Sequence, residues 1–160
     1  MVRDFINAIP TIQSTKAFWL EGAGGKAFCA GGDVKALFEK GASVADRLAF
    51  FREEFLLDLR LSEISSAQIS CWDGIVMGGG FGVSGFSPFI IATENTIFAM
   101  PENKLGFFTD VGSSYRLSRL RGHLGHYLAL TGARLKGEDL FILGLANYYI
   151  PRESIPAVFA

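Results

Sequence analysis

The sequence predicts an α/β domain, and three observations carry that reading. Helical spacings and short strand-like apolar runs alternate along the chain. Two glycine-rich loops, within residues 22–32 and 74–85, each follow a strand and each open a helix. At 160 residues, 49% hydrophobic and 19% charged, the chain is long enough to bury one core and too apolar to be disordered.

In order, Val2, Phe5, Ile6 and Ile9 have helical spacing, and Pro10 is expected to stop that helix. Residues 16–21 read as a buried strand running into the first glycine loop. Asp33 stands where its carboxylate can cap a helix over 34–40. A second helix is expected over 44–61, with Leu48, Phe51, Phe55 and Leu59 on one face. Arg52, Glu53 and Glu54 on that helix would ordinarily be solvated charges. Residues 67–72 read as a strand, 80–85 as a short helix ended by Pro88, and 89–92 and 96–100 as two strands. Helices follow over 111–121, 124–130 and 136–143, punctuated by Gly122, Gly132 and Gly144. Residues 147–150 read as a last strand.

The composition removes several classes of function. A net charge of −1 gives no reason to expect nucleic acid or an anionic membrane surface. No run of about 18 apolar residues is present. Cys29 and Cys71 read as small buried residues rather than a disulfide framework. The 15 phenylalanines predict an aromatic core or an aromatic acyl pocket. No signal peptide or Arg-rich presequence is visible, and the chain reaches a strand within its first twenty residues, so the domain reads as incomplete.

The chemistry points to residues 72–110. A strand, a glycine turn and a helix together aim free backbone N–H groups at an anion. Two such loops facing one another can each give one N–H, and two N–H groups on one oxygen form an oxyanion hole. Gly32 and Gly79 are the expected donors. Glu102 follows Pro101 in an apolar setting, with Ile97-Phe98-Ala99-Met100 before it and Leu105-Gly106-Phe107-Phe108 after it. A carboxylate held there is either paired or has a raised pKa, and both mark a site. Asp110, eight residues on, is either a second site acid or a plain helix N-cap.

Three other patterns carry less. Gly80, Gly82 and Gly85 match the dinucleotide fingerprint, but Pro88 cuts the helix that motif needs. Gly24-Gly25-Lys26 lacks the following Ser or Thr of a phosphate loop. His123 and His126 have no third ligand at metal spacing, so no metal site is expected.

Taken together these segments resemble the crotonase (enoyl-CoA hydratase/isomerase) superfamily, and within it the 3-hydroxyisobutyryl-CoA hydrolases. The matching stretches are Gly22-Ala-Gly-Gly-Lys-Ala-Phe-Cys-Ala-Gly-Gly-Asp33, Phe50-Phe-Arg-Glu-Glu54, Asp73-Gly-Ile-Val-Met-Gly-Gly-Gly80, Phe98-Ala-Met-Pro-Glu102 and Gly106-Phe-Phe-Thr-Asp-Val-Gly112. Leu128-Ala-Leu-Thr-Gly132 and Leu135-Lys-Gly137 continue the match. The resemblance implies a spiral of ββα units over residues 1–160 that binds acyl-CoA, incomplete at both ends. The family's N-terminal hairpin and C-terminal helices lie outside this stretch. It implies an oxyanion hole at Gly32 and Gly79, catalytic Glu102 and Asp110, and substrate contacts from Glu54, Gly79, Glu102 and Asp110. It implies CoA contacts at Lys26, Phe28 and Ala30, and no cofactor beyond the CoA that is part of the substrate. Hydratases carry a further Glu at the position of Gly82, which argues for thioester hydrolysis over hydration. Ser66-Ala67 and Thr109 depart from the family's Lys-Pro and Pro. A mitochondrial location, and a homo-oligomer or a partner chain that completes the fold, are implied by the resemblance alone. A non-catalytic subunit of a larger assembly is the alternative.

Overall fold

The computed structural model describes residues 1–38, 41 and 43–159. Along the chain the elements are α1 (Val2–Gln13), β1 (Ala17–Glu21), β2 (Ala27–Cys29), α2 (Val34–Phe38), α3 (Val44–Ser62), β3 (Ala67–Trp72) and β4 (Ile75–Met77). Then come α4 (Gly79–Gly82), β5 (Phe89–Ala92), β6 (Ile97–Ala99), a 3-10 turn (Glu102–Leu105), α5 (Ser113–Leu117) and α6 (Leu124–Thr131). The chain closes with β7 (Leu135–Lys136), α7 (Glu138–Ile142), β8 (Tyr148–Tyr149) and a 3-10 segment (Arg152–Phe159). The end of the helix expected over 34–40 lies outside the described residues.

Two four-stranded sheets form. One runs β1-β3-β5-β8 and is wholly parallel. The other runs β2-β4-β6-β7, parallel except for the last pair. The strands β5 and β6 are neighbours in sequence yet belong to different sheets, so the chain turns a corner at residues 93–96. That corner is tied down: Thr93 Oγ1 donates to Asp73 Oδ1 at 2.7 Å, and Thr96 Oγ1 donates to the Trp72 carbonyl. Each strand–strand–helix unit thus places one strand in each sheet.

Three expectations need correction. The glycine loops are not loops throughout: each contains a three-residue strand, β2 and β4, paired in parallel with each other. Segments this short, bounded by glycine, carry too few residues for a period-2 pattern to register. The first helix runs three residues past Pro10, because a proline there removes only one backbone hydrogen bond while Ile9 is held against Leu57 and Leu61. The helix expected from 111 is shorter, Ser113–Leu117, because Val111 and Gly112 take left-handed angles at φ 48° and 71°.

The helix α3 also buries a different face from the one its phenylalanines suggest. Leu48, Phe55 and Leu59 stay exposed, while Glu54, Leu57, Asp58 and Leu61 turn inward. Its start is fixed by a capping box in which Ser43 Oγ accepts from the Asp46 amide and Asp46 accepts from the Ser43 amide. Inward-facing Leu57 and Leu61 pack on α1, which leaves Glu54 and Asp58 directed at α4.

The main core is aromatic, as the phenylalanine count predicts. Trp72 stacks on Phe98 with centroids 5.8 Å apart and planes 4° from parallel, and Phe81 packs against both. Full burial of one such ring contributes about 1.5–3 kcal/mol. The buried Trp72 Nε1–H donates to Ser84 Oγ at 2.8 Å, which donates in turn to the Gly80 carbonyl at 2.6 Å. The core thereby anchors the turn that carries Gly79.

Candidate active site

The second sheet builds the site. Its strands β2, β4 and β6 lie side by side, all parallel, so their C-terminal ends open on one edge. From β2 the chain delivers Gly32, from β4 Gly79, and from β6, through Met100 and Pro101, Glu102. Ligands of α/β sheets gather at such an edge. Adjacent strands are about 4.8 Å apart, which sets the spacing of the three groups.

The two glycine loops do face one another. A Cβ built on Gly79 would stand 3.5 Å from the Gly32 amide nitrogen, and one on Gly31 would stand 3.8 Å from the Gly79 nitrogen. Between them lies Glu54: its Oε1 would be 2.4 Å from a Cβ on Gly79 and 3.3 Å from one on Gly32. Glu102 Oε1 closes the other side, 3.1 Å from a Cβ on Gly78. Only glycine leaves room for a carboxylate this close to the backbone. Glu54 is thus not the solvated charge that a helix position would ordinarily give it; the residue is 7% exposed and stands among the residues expected at the site.

Asp110 joins the group from the loop after the 3-10 turn. Phe107 stacks on Phe51 of α3 at 5.5 Å, which holds this loop against the helix carrying Glu54. The plain N-cap role for Asp110 fails: α5 starts at Ser113 with Gly112 before it and no side-chain cap bond. Instead the Asp110 carbonyl accepts from the Ser113 amide and hydroxyl at 2.9 and 2.5 Å. Val111, buried at 3% exposure, is held at φ 48°, an unfavourable angle for a β-branched residue. That strained turn fixes where Asp110 sits.

One site residue escaped the sequence reading. Asp58 is one helical turn beyond Glu54, 6% exposed, and lies where any side chain at residue 82 would go: a Cβ on Gly82 would meet Asp58 Oδ1 at 2.6 Å. The signal available was the i, i+4 spacing from Glu54, which places both carboxylates on one helix face. Of the residues expected to touch CoA, Lys26 and Ala30 are exposed, whereas Phe28 is buried in the main core, so its ring serves packing.

Four carboxyls crowded together out of water resist ionisation. Burial, then the charges of Asp110 and Glu102, push Glu54 up to about 7. Burial, then Glu54 and Asp110, push Asp58 up to about 8. Burial also raises Glu102 to about 7, opposed by its own backbone N–H and aided by Asp110. Asp110 is raised too, by burial. The folded chain therefore holds protons that the unfolded chain has lost above about pH 4–5. This stabilising contribution is fully present below about pH 4 and is lost as pH rises through about 7–8. The urea midpoint is expected to fall between pH 5 and 8, and to fall less steeply in Glu54→Gln. A midpoint that climbs across this range would contradict the burial described.

Among the described residues no group of His, Cys, Asp and Glu is arranged to hold a metal ion, and no helix is long and apolar enough to cross a membrane. The His123 and His126 rings contact each other edge to face, with centroids 5.8 Å apart. Both cysteines are free, Cys71 buried and Cys29 half-buried.

Two four-stranded sheets with facing glycine loops and buried acids at one strand edge define the class of fold. Residues 1–160 match the enoyl-CoA hydratase/isomerase family, and the chain belongs to it. A carnitinyl-CoA dehydratase from Mycobacterium thermoresistibile superposes with a TM-score of 0.91 at 36% identity, over 99% of this chain and 48% of that one. The chain is 50% identical over 141 residues to the mitochondrial 3-hydroxyisobutyryl-CoA hydrolase of Xenopus tropicalis, covering 87% of this chain and 36% of the relative. It is also 46% identical over 143 residues to a small ribosomal subunit protein of Neurospora crassa, covering 87% of this chain and 28% of that protein. The chain thus spans about half the length of that dehydratase and about a third of the other two relatives.

Proposed function

We propose that this chain carries the catalytic centre of an acyl-CoA thioester hydrolase, converting 3-hydroxyisobutyryl-CoA to 3-hydroxyisobutyrate and CoA, a step of valine breakdown. The observation that carries this reading is the group of buried acids beside the paired glycines: Glu54 lies against Gly32 and Gly79, Glu102 against Gly78, and Asp110 is near enough for its charge to act on Glu54. The likeness to the hydrolase of Xenopus tropicalis supports it. Gly82 counts against hydration or isomerisation, since it offers no acid.

The amides of Gly32 and Gly79 donate to the oxyanion that forms when oxygen adds to the thioester carbon. Glu102 serves in one of two ways. As general base it takes a proton from the attacking water; as nucleophile it forms an anhydride that water then cleaves. Either route breaks the C–S bond and yields a carboxylic acid and a thiol. Asp110 binds the acyl hydroxyl or returns a proton to the departing thiolate, and Glu54 holds the polar end of the substrate. Lys26 and the main chain at Ala30 contact CoA. No metal or redox cofactor enters these steps. A mitochondrial location follows from the hydrolase likeness, and a second copy or a partner chain completes the fold.

The likeness to a ribosomal subunit protein favours one second reading, a non-catalytic structural part of a larger assembly. The retained carboxylates speak against it. Free thiol released from 3-hydroxyisobutyryl-CoA, measured beside acetyl-CoA, decides: selective release is expected. Absent turnover with stable co-sedimentation in a large particle would favour the structural reading, and an enoyl-CoA absorbance change without thiol would favour hydration.

A further inference from the structure

Beside the carboxylate centre lies a groove of about 820 Å³ whose wall includes Phe55, Asp58, Leu59, Phe108, Asp110 and Tyr115. Neither oxyanion glycine belongs to this wall, and Asp110 is shared between the groove and the carboxylate centre. Its wall is largely aromatic and aliphatic, and Asp58 and Asp110 are its only ionisable carboxyls among the described residues.

Asp58 has no function in the hydrolysis as described, yet it is costly where it stands. It is 94% buried, being 6% exposed, and neither of its oxygens has a hydrogen-bond partner among the described residues. Buried polar atoms are almost always paired, and one left alone in a native chain calls for an explanation such as a missing ligand. The surrounding groups do not supply a partner. Gly82 presents only its backbone, Phe55 and Leu59 flank Asp58 on its own helix, and Glu54 and Asp110 are acids themselves. Substituting residue 82 with anything larger than glycine would drive a Cβ into this carboxyl, at 2.6–2.8 Å from its three outer atoms. The space is thus kept for Asp58.

We propose that Asp58 is a specificity-determining residue whose carboxyl hydrogen-bonds a hydroxyl on the acyl chain, selecting thioesters that carry such a group a few bonds from the carbonyl. This rests on the thioester reading above. A hydroxyl both donates and accepts, so it can satisfy two acids at once: it donates to Asp110 and accepts the O–H of Asp58. Burial keeps the Asp58 proton in place at neutral pH, which makes it a donor there. An acyl chain without the hydroxyl would leave both carboxyls unpaired, and sites built to bond a hydroxyl reject such analogues strongly.

The test compares 3-hydroxyisobutyryl-CoA with isobutyryl-CoA, which has the same skeleton without the hydroxyl, in the unaltered chain, Asp58→Asn and Asp58→Leu. The ratio of kcat/KM for the two esters is expected to fall at least ~10-fold in Asp58→Leu, through KM of the hydroxy ester. Asp58→Asn, whose amide can still donate, should keep most of the ratio. Thermal stability should hold or rise in Asp58→Leu, since an unpaired buried carboxyl is removed. A ratio unchanged within about twofold in both variants, with hydrolysis intact, would overturn the proposal. If the unaltered chain releases no thiol from either ester, the thioester reading fails first. Calorimetric binding of the same two esters then decides for Asp58: equal preference in the unaltered chain and Asp58→Leu would overturn its role.

Discussion

Replacing Glu102 by Gln is expected to cut thiol release from 3-hydroxyisobutyryl-CoA by ~10³-fold or more, while leaving the fold as stable as before. The two halves of this expectation have one cause. Glu102 sits at 7% exposure with Oε2 unpartnered, so the surrounding protein does not depend on its charge. Gln fills the same volume and removes the need to hold a carboxylate out of water. What is lost is the oxygen that takes a proton or attacks, and general-base or nucleophilic roles are typically worth ~10²–10⁴ in rate. A variant that is inactive but melts several degrees lower would instead assign Glu102 to packing.

The pH profile carries the same argument further. Glu102 must be ionised to act in either role, and burial has lifted it to about 7. The value of kcat/KM should therefore rise as pH increases through about 7. Stability moves the other way over that window, because the same buried acids prefer their protonated forms. If Glu102 is the reacting acid, the centre is expected to be most reactive where it least favours the folded state, a conflict that arises when groups are buried for chemistry rather than for stability.

Much of this was legible in the chain. Gly32, Gly79 and Glu102 follow directly from strand, glycine turn and apolar context, and the structure brings them to one strand edge. The strands β2 and β4 were not legible because three residues between glycines carry no period. Nor was the direction of α3. Its exposed face holds Leu48, Phe55 and Leu59, and its buried face holds Glu54 and Asp58. Hydrophobic patterning chooses the apolar face; here α1 occupies the Leu57–Leu61 stripe and turns the acids inward. Asp110 was ambiguous for a local reason. Whether it capped a helix turned on Val111, and nothing in a valine announces a positive φ.

The paired glycines make the sharpest prediction, because neighbours in sequence should fail in different ways. At Gly79 an added Cβ would meet Glu54 Oε1 at 2.4 Å, the end of a side chain that can swing aside. Gly79→Ala should fold, with a melting temperature within a few degrees of the parent. Its thiol release should fall ~10²–10³-fold, the loss typical when one oxyanion donor is compromised. At Gly80 the added Cβ would lie 2.2 Å from the Cys29 carbonyl oxygen and 3.0 Å from its carbon. This is strand β2 itself, and backbone cannot swing aside. Gly80→Ala must push β2 away from α4, breaking the contact that sets the two loops face to face. Overpacking of this kind costs about 1–3 kcal/mol and more where relief is blocked, so the melting temperature should drop by about 5 °C or more. Activity would be lost along with it. Thermal melts and thiol release measured on both variants separate the two cases. Equal destabilisation at 79 and 80 would mean that Glu54 is not free to move, and that the hole is held shut by its own carboxylate.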